Sequence, residues 1–254
     1  MTEVRSEETT LHTRLMKCTL LVDESRAYWA EADVDDPVTV DRAFSGYWFG
    51  AKSTARIEVL LSNMRVRFDV WPEARWVLHR WRNMSPDVRR LVCHWHLQLA
   101  DPLYRAFTGE MLATRRERPN AQISRDIVVR WVGDVGKVSW TMASRVQFAS
   151  KLLSAAAAAG LVDGNRDPRP LTLPRVPDEA LVYLLYLLRT VAFEGTLWAN
   201  PYLRSVGIDE AALTSRLRPG TGVHWERQAD LRALHWEYPD LRAWASAAVL
   251  GGAE

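Results

Sequence analysis

Helix-start signals recur along the first half of this sequence, and their spacing constrains the fold more than any other feature. Ser85-Pro86 and Asp101-Pro102 each place a capping side chain directly before a proline. The oxygen of the capping side chain accepts a hydrogen bond from a free backbone N–H of the first turn, and the proline fixes φ at a helical value. Apolar residues recur at helical spacing between these signals, which delimit helices of about 14 residues. Because the connections are short, the pattern predicts a mainly helical, all-α fold with antiparallel neighbours.

Residues 139–173 predict a helix followed by a short β-hairpin. Ser139 or Thr141 supplies the hydroxyl cap of this helix, and Gly160 ends it. The turn sequence DGNR follows at residues 163–166. With the shorter helix that precedes it, the stretch gives a helix–turn–helix and a basic wing. A winged helix contacts the major groove of DNA with this arrangement.

Two stripes of residues recur along this predicted helix, and we expect them to face in opposite directions. The stripe expected to be buried consists of Met142, Val146, Ala149, Leu153 and Ala156. The stripe expected to face outward consists of Thr141, Ser144, Arg145, Phe148 and Lys151. Small polar and basic side chains on an outward face favour a DNA-recognition helix. An ordinary surface helix packed on a bundle would show the same spacing.

A polar break of sequence RRERPN at residues 115–120 is the best candidate for a domain boundary. We therefore predict an amino-terminal helical bundle at residues 1–118 and a winged helix-turn-helix at residues 119–190. Residues 191–254 are predicted to form a small unit of one helix and one β-hairpin.

Charge is distributed unevenly along the chain, although the formal net charge is only +2. Residues 1–41 carry ten acidic and four basic groups. Residues 52–90 carry nine basic and four acidic groups, and residues 103–170 carry eleven and six. A basic middle between acidic ends favours an anionic partner such as DNA, because a clustered charge steers a polyanion to one face.

Cysteine usage and hydropathy predict a soluble, cytoplasmic protein. Cys18 and Cys93 lie within apolar helical patterns far apart in sequence, which predicts reduced core side chains rather than a disulfide or zinc site. Residues 1–10 are acidic and polar, unlike a signal peptide. The most apolar helix, residues 180–188, is shorter than the roughly 20 residues that cross a bilayer.

The sequence offers no constellation of catalytic residues. It contains no Gly-rich phosphate loop, nucleophile elbow or Cys–His signature. His94 and His96 flank Trp95, but residues two apart point to different faces of a helix, whereas helical metal ligands are four apart. This spacing predicts one packed and one exposed imidazole. We expect a protein that is not an enzyme and that holds no metal or cofactor.

The sequence contains 12 tryptophans, which is unusual for its length. Trp71, Trp76 and Trp81 recur every five residues, a spacing that does not hold one helical face. Two interpretations follow. The rings fill the core of the bundle, or some are exposed beside arginines, where they would stack on bases or dock a partner.

Several stretches resemble the BrxA family in order and spacing, over residues 10–249. They are GYWFGAKSTARIEVLLSNMRVRF at 46–68, HWHLQLADPLYRAFTGEML at 94–112, the helix at 139–162, and the helix at 177–188 with its YLLYLL sequence. BrxA proteins are small subunits of BREX bacteriophage-exclusion systems. The resemblance implies a NusB-like amino-terminal module joined to winged-helix elements, and non-enzymatic binding to double-stranded DNA. The other partners it implies are BREX subunits: a methyltransferase, a phosphatase-like protein and an ATPase.

The resemblance highlights candidate DNA contacts in three regions. At one helix start, where backbone amides and basic groups can hold a phosphate, they are Lys52, Ser53 and Arg56. On the candidate recognition helix they are Thr141, Ser144, Arg145 and Lys151. On the wing they are Arg166 and Arg169. Further candidates, which a solvated basic face also explains, are Arg65, Arg67, Arg115 and Arg116.

Other functions fit the same sequence. A protein–protein scaffold of the same defence system would use the helical surface and exposed tryptophans for docking. A NusB-like module would instead bind structured RNA. A transcriptional repressor would bind a two-fold DNA site as a dimer.

Overall fold

A computed structural model of the protein describes residues 5–33, 38–135, 139–228 and 231–251. The helices in these residues are α1 (Arg14–Lys17), α2 (Val22–Glu31), α3 (Val40–Ser45), α4 (Thr54–Met64), α5 (Pro72–Arg80), α6 (Pro86–Ala100), α7 (Pro102–Ala106), α8 (Ala113–Arg116), α9 (Arg125–Asp134), α10 (Met142–Ala158), α11 (Asp178–Leu188), α12 (Pro201–Ser205), α13 (Glu210–Arg216) and α14 (Leu241–Ala248). The strands are β1 (Arg5–Ser6), β2 (Gln122–Ile123), β3 (Arg169–Pro170), β4 (Val191–Ala192), β5 (Val223–Gln228) and β6 (Leu231–Trp236). The prediction of a mainly helical fold is confirmed.

The helix starts predicted from the cap-plus-proline signals are confirmed. The Ser85 hydroxyl accepts a hydrogen bond from the backbone N–H of Val88 at 3.3 Å, and Pro86 follows as the first residue of α6. The Asp101 carboxylate accepts one from the N–H of Tyr104 at 2.9 Å, and α7 begins at Pro102. Each cap satisfies a donor that the helix itself leaves unpaired.

Helices α6 and α11 form the centre of the hydrophobic core. Every residue at 91–100 and at 180–188 is buried, and α11 packs against both α6 and α14. One hydrophobic cluster runs through all three predicted segments. The amino-terminal β1 pairs in parallel with β4, so the chain crosses between the first and third segments. The boundaries after residues 118 and 190 remain predictions.

The predicted carboxy-terminal hairpin is confirmed. Strands β5 and β6 are antiparallel, and His224 lies opposite His235 with ring centroids 4.7 Å apart. The turn between the strands, residues 229–230, lies outside the described residues. The hairpin is followed by α14, whose Trp244 contacts Trp81 edge to face at 6.0 Å. The third segment is thereby packed on the amino-terminal helices.

Most of the polar and aromatic predictions for the core are settled by burial. Cys18 and Cys93 are buried free thiols, as predicted. The prediction that either His94 or His96 is exposed is wrong, because both imidazoles are fully buried. The core interpretation of the tryptophans holds for Trp71 and Trp81, which are buried, whereas Trp76 is half-buried beneath the Arg80 guanidinium.

Among the described residues no helix is long and apolar enough to span a bilayer, and no acidic, His or Cys side chains converge as metal ligands.

Two helices of the bundle change locally to a wider π-helical turn. Helix α4 continues as a π-helix at Arg65–Asp69, and α7 continues as one at Phe107–Leu112 before α8 begins. The second π-helix packs against α12. A Cβ atom built on Gly109 would lie 2.6 Å from Cβ of Pro201 and 2.7 Å from its carbonyl oxygen, so only glycine fits there.

We therefore expect Gly109→Ala to lower the free energy of unfolding by about 1–3 kcal/mol, the usual cost of overpacking a buried contact. The better helix propensity of alanine would offset at most about 1 kcal/mol of this cost. Urea unfolding measures the change. The exposed Glu110 is next in the same π-helix, and Glu110→Ala should stay within about 0.5 kcal/mol of wild type. Equal stability of Gly109→Ala and wild type would contradict the close packing.

Candidate nucleic-acid interface

Helix α10 has the start and the end that the sequence predicts. Of the two candidate caps, Thr141 is the one used, and its hydroxyl accepts from the N–H of Ser144 at 3.2 Å. Gly160 has φ +77 and closes the helix. The N–H of Leu161 donates to the carbonyl of Ala156 at 2.9 Å, the long-range bond of a Schellman motif.

The predicted faces of α10 are partly wrong. Phe148, expected outside, is fully buried with its ring 4.8 Å from that of Trp140. Met142 and Val146, expected inside, are 65% and 39% exposed. The side chains that form the exposed face are Met142, Ala143, Val146, Gln147, Ser150 and Ser154. Ala149, Leu153 and Ala156 are buried as predicted. Phe148, Leu152 and Ala155 are buried beside them, so the buried face is displaced from the predicted one mainly in the first turns of the helix.

Arg145 does not project freely from α10. Its side chain is half-buried, and its Nε donates to the carbonyl of Trp140 at 3.0 Å. The guanidinium lies over Gly133 of α9, where an added Cβ would come within 2.4 Å of it. Its main contacts are therefore within the helix pair. Lys151 is also half-buried, and of the predicted outward stripe Thr141 alone is exposed.

The predicted hairpin follows α10 directly. Val162 bridges Leu171 in antiparallel pairing, and β3 pairs on its other side with β2. The loop between, residues 163–168, is exposed. The order along the chain is therefore strand β2, helices α9 and α10, the Val162 strand position, a loop, and strand β3.

One carboxylate attaches the tip of this hairpin to α9. Asp167 accepts a hydrogen bond from the backbone N–H of Arg125 at 2.8 Å and one from the Arg169 guanidinium at 2.9 Å. These bonds, chiefly the backbone one at Arg125, lower the pKa of Asp167. Arg169 is thus engaged within the hairpin. Arg166 is exposed, and within the described part of the chain its side chain has no hydrogen bond or ion pair.

Two predicted contacts near α4 are turned toward the protein. Arg67 is only 2% exposed and donates to the carbonyls of Cys18, Thr19 and Leu20 at 2.8–3.1 Å. The prediction that Arg67 contacts DNA is therefore wrong for this conformation. Arg56 is half-buried and donates to the carbonyl of Lys17 at 3.1 Å.

The other candidates outside α10 divide into free and engaged groups. Lys52 is exposed, and Ser53 caps α4 by accepting from the N–H of Arg56. Arg65 is exposed but donates to the carbonyl of Val38 at 2.8 Å. Half-buried Arg115 and Arg116 donate to the carbonyls of Gln122 and Ser205. Burial lowers the pKa of Arg116 to about 10. The structure therefore leaves Lys52 and Arg166 as the most accessible predicted cations.

Sequence reasoning missed residues on both sides of α9. Gln147 and Ser150 lie on the exposed face of α10. The sequence contains a signal for them, because a second apolar stripe runs through Phe148, and burial of that stripe places Gln147 and Ser150 on the side that faces solvent. A groove of about 670 Å³ lies between α8 and α9, and exposed Arg118 and Arg130 line it. No spacing rule connects these two arginines, because they belong to different elements.

No known protein family matches the chain, and no curated protein matches it. One solved structure, described as an uncharacterized protein from Magnetospirillum magneticum, is similar in fold. It has a TM-score of 0.59 at 14% sequence identity, over 79% of this chain and 100% of that one. At this identity the similarity concerns the fold alone.

Proposed function

We propose that the protein is a non-enzymatic subunit that binds double-stranded DNA, with residues 122–172 acting as a winged helix-turn-helix. The observation that carries the proposal is the chain order: a strand, two helices, and a hairpin whose outer strand pairs back with the first strand. This order fits a winged helix, in which the second helix enters the major groove and the loop reaches the adjacent backbone.

The exposed face of α10 has chemistry suited to base edges. Gln147 can form a bidentate pair with adenine, and Ser150, whose hydroxyl donates to the carbonyl of Val146 at 3.0 Å, can accept from a base edge. Met142 and Val146 can contact the methyl group of thymine. These four exposed residues replace Arg145 as the proposed readers of sequence, because Arg145 is held against α9.

Phosphate contacts would supply most of the affinity. The proposed donors are Arg166 on the wing and Lys151 on α10. Lys52, just before the start of α4, is a further donor. Both α4 and α10 contact α1: Arg56 of α4 donates to the carbonyl of Lys17, and α1 packs on α10.

The cellular context that we propose, from the resemblance to the BrxA family, is BREX phage defence. Its methyltransferase, phosphatase-like protein and ATPase would be the partners, and the amino-terminal helices would form the NusB-like module.

The decisive measurement is the salt dependence of duplex binding. Removing one cation that pairs with a phosphate reduces the slope of log K against log salt by about 1. We expect Arg166→Glu to reduce this slope by about 1 or more and to weaken binding at low salt about tenfold, because one cation is replaced by an anion. Fluorescence anisotropy with a labelled duplex gives both values.

The matched control is Arg26→Glu on α2. Arg26 is an exposed arginine without a side-chain partner among the described residues. It lies far in sequence from residues 122–172, the helix–hairpin unit proposed to bind DNA. Its variant should keep the slope and affinity of wild type, apart from the small effect of net charge. Equal losses in both variants would indicate a diffuse charge effect, and absence of duplex binding at low salt would refute the proposal.

A second candidate function is a protein–protein scaffold in the same system. The exposed apolar side chains of Met142 and Val146 on an uncharged helix face favour it, because protein interfaces have an apolar centre depleted in charge. Co-purification of partner subunits by a protein that binds neither duplex DNA nor structured RNA would support this candidate over DNA binding.

A further inference from the structure

The end of α3 and the turn between α3 and α4 present two large aromatic side chains to solvent. Phe44 is 49% exposed and Tyr47 is 72% exposed. Tyr47 has φ +51, in the left-handed region that a bulky side chain adopts only at an energetic cost. A strained backbone that holds a ring in water, rather than in the core, indicates a role other than packing.

The main chain of the turn is firmly held by hydrogen bonds on both sides of Tyr47. The N–H of Trp48 donates to the carbonyl of Ala43 at 3.1 Å, and the N–H of Gly50 donates to that of Tyr47 at 2.9 Å. Trp48 and Phe49 are buried on the opposite side of the turn. A planar ligand that stacks on Tyr47 would therefore meet an ordered backbone, and only the side chain would lose conformational freedom on binding.

The one charged residue within the turn itself is basic. Residues 46–53 carry Lys52 and no acidic residue, whereas the wider segment 41–58 also contains exposed Asp41 and Glu58 beside Arg42 and Arg56, which gives a formal net charge of +1. The Lys52 side chain is exposed, with no hydrogen bond or ion pair among the described residues. Aromatic rings beside an accessible cation are the combination that binds single-stranded nucleic acid, since bases stack and phosphates pair with cations.

We propose that Tyr47 is a stacking site for an unpaired base of single-stranded nucleic acid, with Phe44 as a second apolar contact and Lys52 as a phosphate contact. The inference deepens the proposed DNA-binding function, on which it rests: a duplex held by the helix–hairpin unit would be bound more tightly when it carries a single-stranded tail. A docked protein is the competing occupant, and the test separates the two.

The test compares a blunt duplex with the same duplex bearing an oligothymidine tail. We expect the wild-type protein to bind the tailed duplex about tenfold more tightly, because base–aromatic stacking contributes that order of affinity. Tyr47→Gly removes the ring and relieves the left-handed strain, so it should abolish the preference without lowering the melting temperature. Tyr47→Asn, which also tolerates this backbone, should behave alike, and Tyr47→Phe should keep the preference.

The outcomes distinguish the inference from the function on which it rests. Equal wild-type affinity for both duplexes, or a preference that survives in Tyr47→Gly, overturns the stacking site. Loss of self-association or of partner capture in Tyr47→Gly, without a tail effect, assigns the ring to a protein. If the protein binds free oligothymidine in a Tyr47-dependent manner but does not bind the duplex, the stacking site is supported and the proposed duplex-binding function is refuted. Binding to no nucleic acid overturns both.

Discussion

Replacing Arg67 by alanine should lower the free energy of unfolding by about 3–5 kcal/mol, because it leaves buried carbonyls without their donor and creates a cavity. The Arg67 guanidinium is buried and donates to three successive main-chain carbonyls after α1, at Cys18, Thr19 and Leu20. Without it, these carbonyls lose their charged donor and a cavity replaces the side chain. Since a domain is stable by about 5–15 kcal/mol, the change removes a large part of the total.

Urea unfolding with a matched pair of variants tests this expectation. Arg65 lies two residues earlier in the same π-helix, is exposed and donates to one carbonyl, so Arg65→Ala should cost less than about 1 kcal/mol. Arg67→Lys should fall between the two, because an ammonium group cannot reproduce the planar fork of donors. If Arg67→Ala is as stable as Arg65→Ala, the guanidinium is not the anchor of the turn after α1.

Acid should destabilise the protein strongly between pH 7 and pH 5. Desolvation by burial lowers the pKa of His94 to about 3 and that of His96 to about 4. Unfolded histidines titrate near pH 6.5, so below that pH the unfolded chain binds protons that the native chain does not. The stability is present above pH 6.5 and is lost as the pH falls toward 4. At about 1.4 kcal/mol per pH unit for each group, the two contribute a loss of about 3–4 kcal/mol by pH 5.

Buried carboxyl groups act in the opposite direction. Burial raises the pKa of Asp69 and Asp101, so their protonation on acidification favours the native state and offsets part of the loss. The contribution of one imidazole is therefore best measured as a difference between proteins. Urea unfolding at pH 7 and pH 5 should show a smaller acid-induced loss in His96→Gln than in wild type, by about 2 kcal/mol. The exposed His235 provides the control, and His235→Gln should retain the wild-type loss.

The hydrogen bonds of the two histidines are those of neutral imidazoles, in which one ring nitrogen donates and the other accepts. Nδ1 of His96 lies 2.8 Å from the carbonyl of Arg67 and must donate, so its Nε2 accepts from the hydroxyl of Tyr183 at 2.7 Å. The Ser205 hydroxyl donates to the carbonyl of Tyr202, so Nε2 of His94 donates to that hydroxyl at 2.8 Å, and Nδ1 accepts from the hydroxyl of Tyr104 at 2.9 Å. A proton added to either accepting nitrogen would displace an existing donor.

Local signals in the sequence predicted the helix ends well, because caps act within one turn. The hydroxyl of Thr141 and the glycine at position 160 define α10 whatever packs against it. The faces of α10 depend instead on distant neighbours. Two apolar stripes, one through Met142 and one through Phe148, are both buried in the second half of α10, whereas in its first turns Phe148 is buried against Trp140 and Met142 and Val146 are exposed. The periodicity of apolar residues alone does not show which side chains of α10 are buried.

The spacing of the basic residues in the sequence also could not predict which of them are free to bind a ligand. Arg67 looks like any basic residue beside an apolar stripe, yet the π-helix turns it inward to main-chain carbonyls far earlier in the sequence. The inference that His94 and His96 point in different directions was correct, and the burial of both was missed. Their partners include Tyr183 and Ser205, about 90 and 110 residues away, which no local pattern identifies.

The parallel pairing of β1 with β4 has a consequence for how the chain is made. Arg5 and Ser6 are synthesised well before their strand partners, because Val191 and Ala192 follow them by 186 residues. The apolar surface of α6 must likewise await α11. Such long-range closure is slow and leaves hydrophobic surface uncovered in the meantime. We therefore expect the nascent protein to depend on chaperones until α11 and β4 have been synthesised.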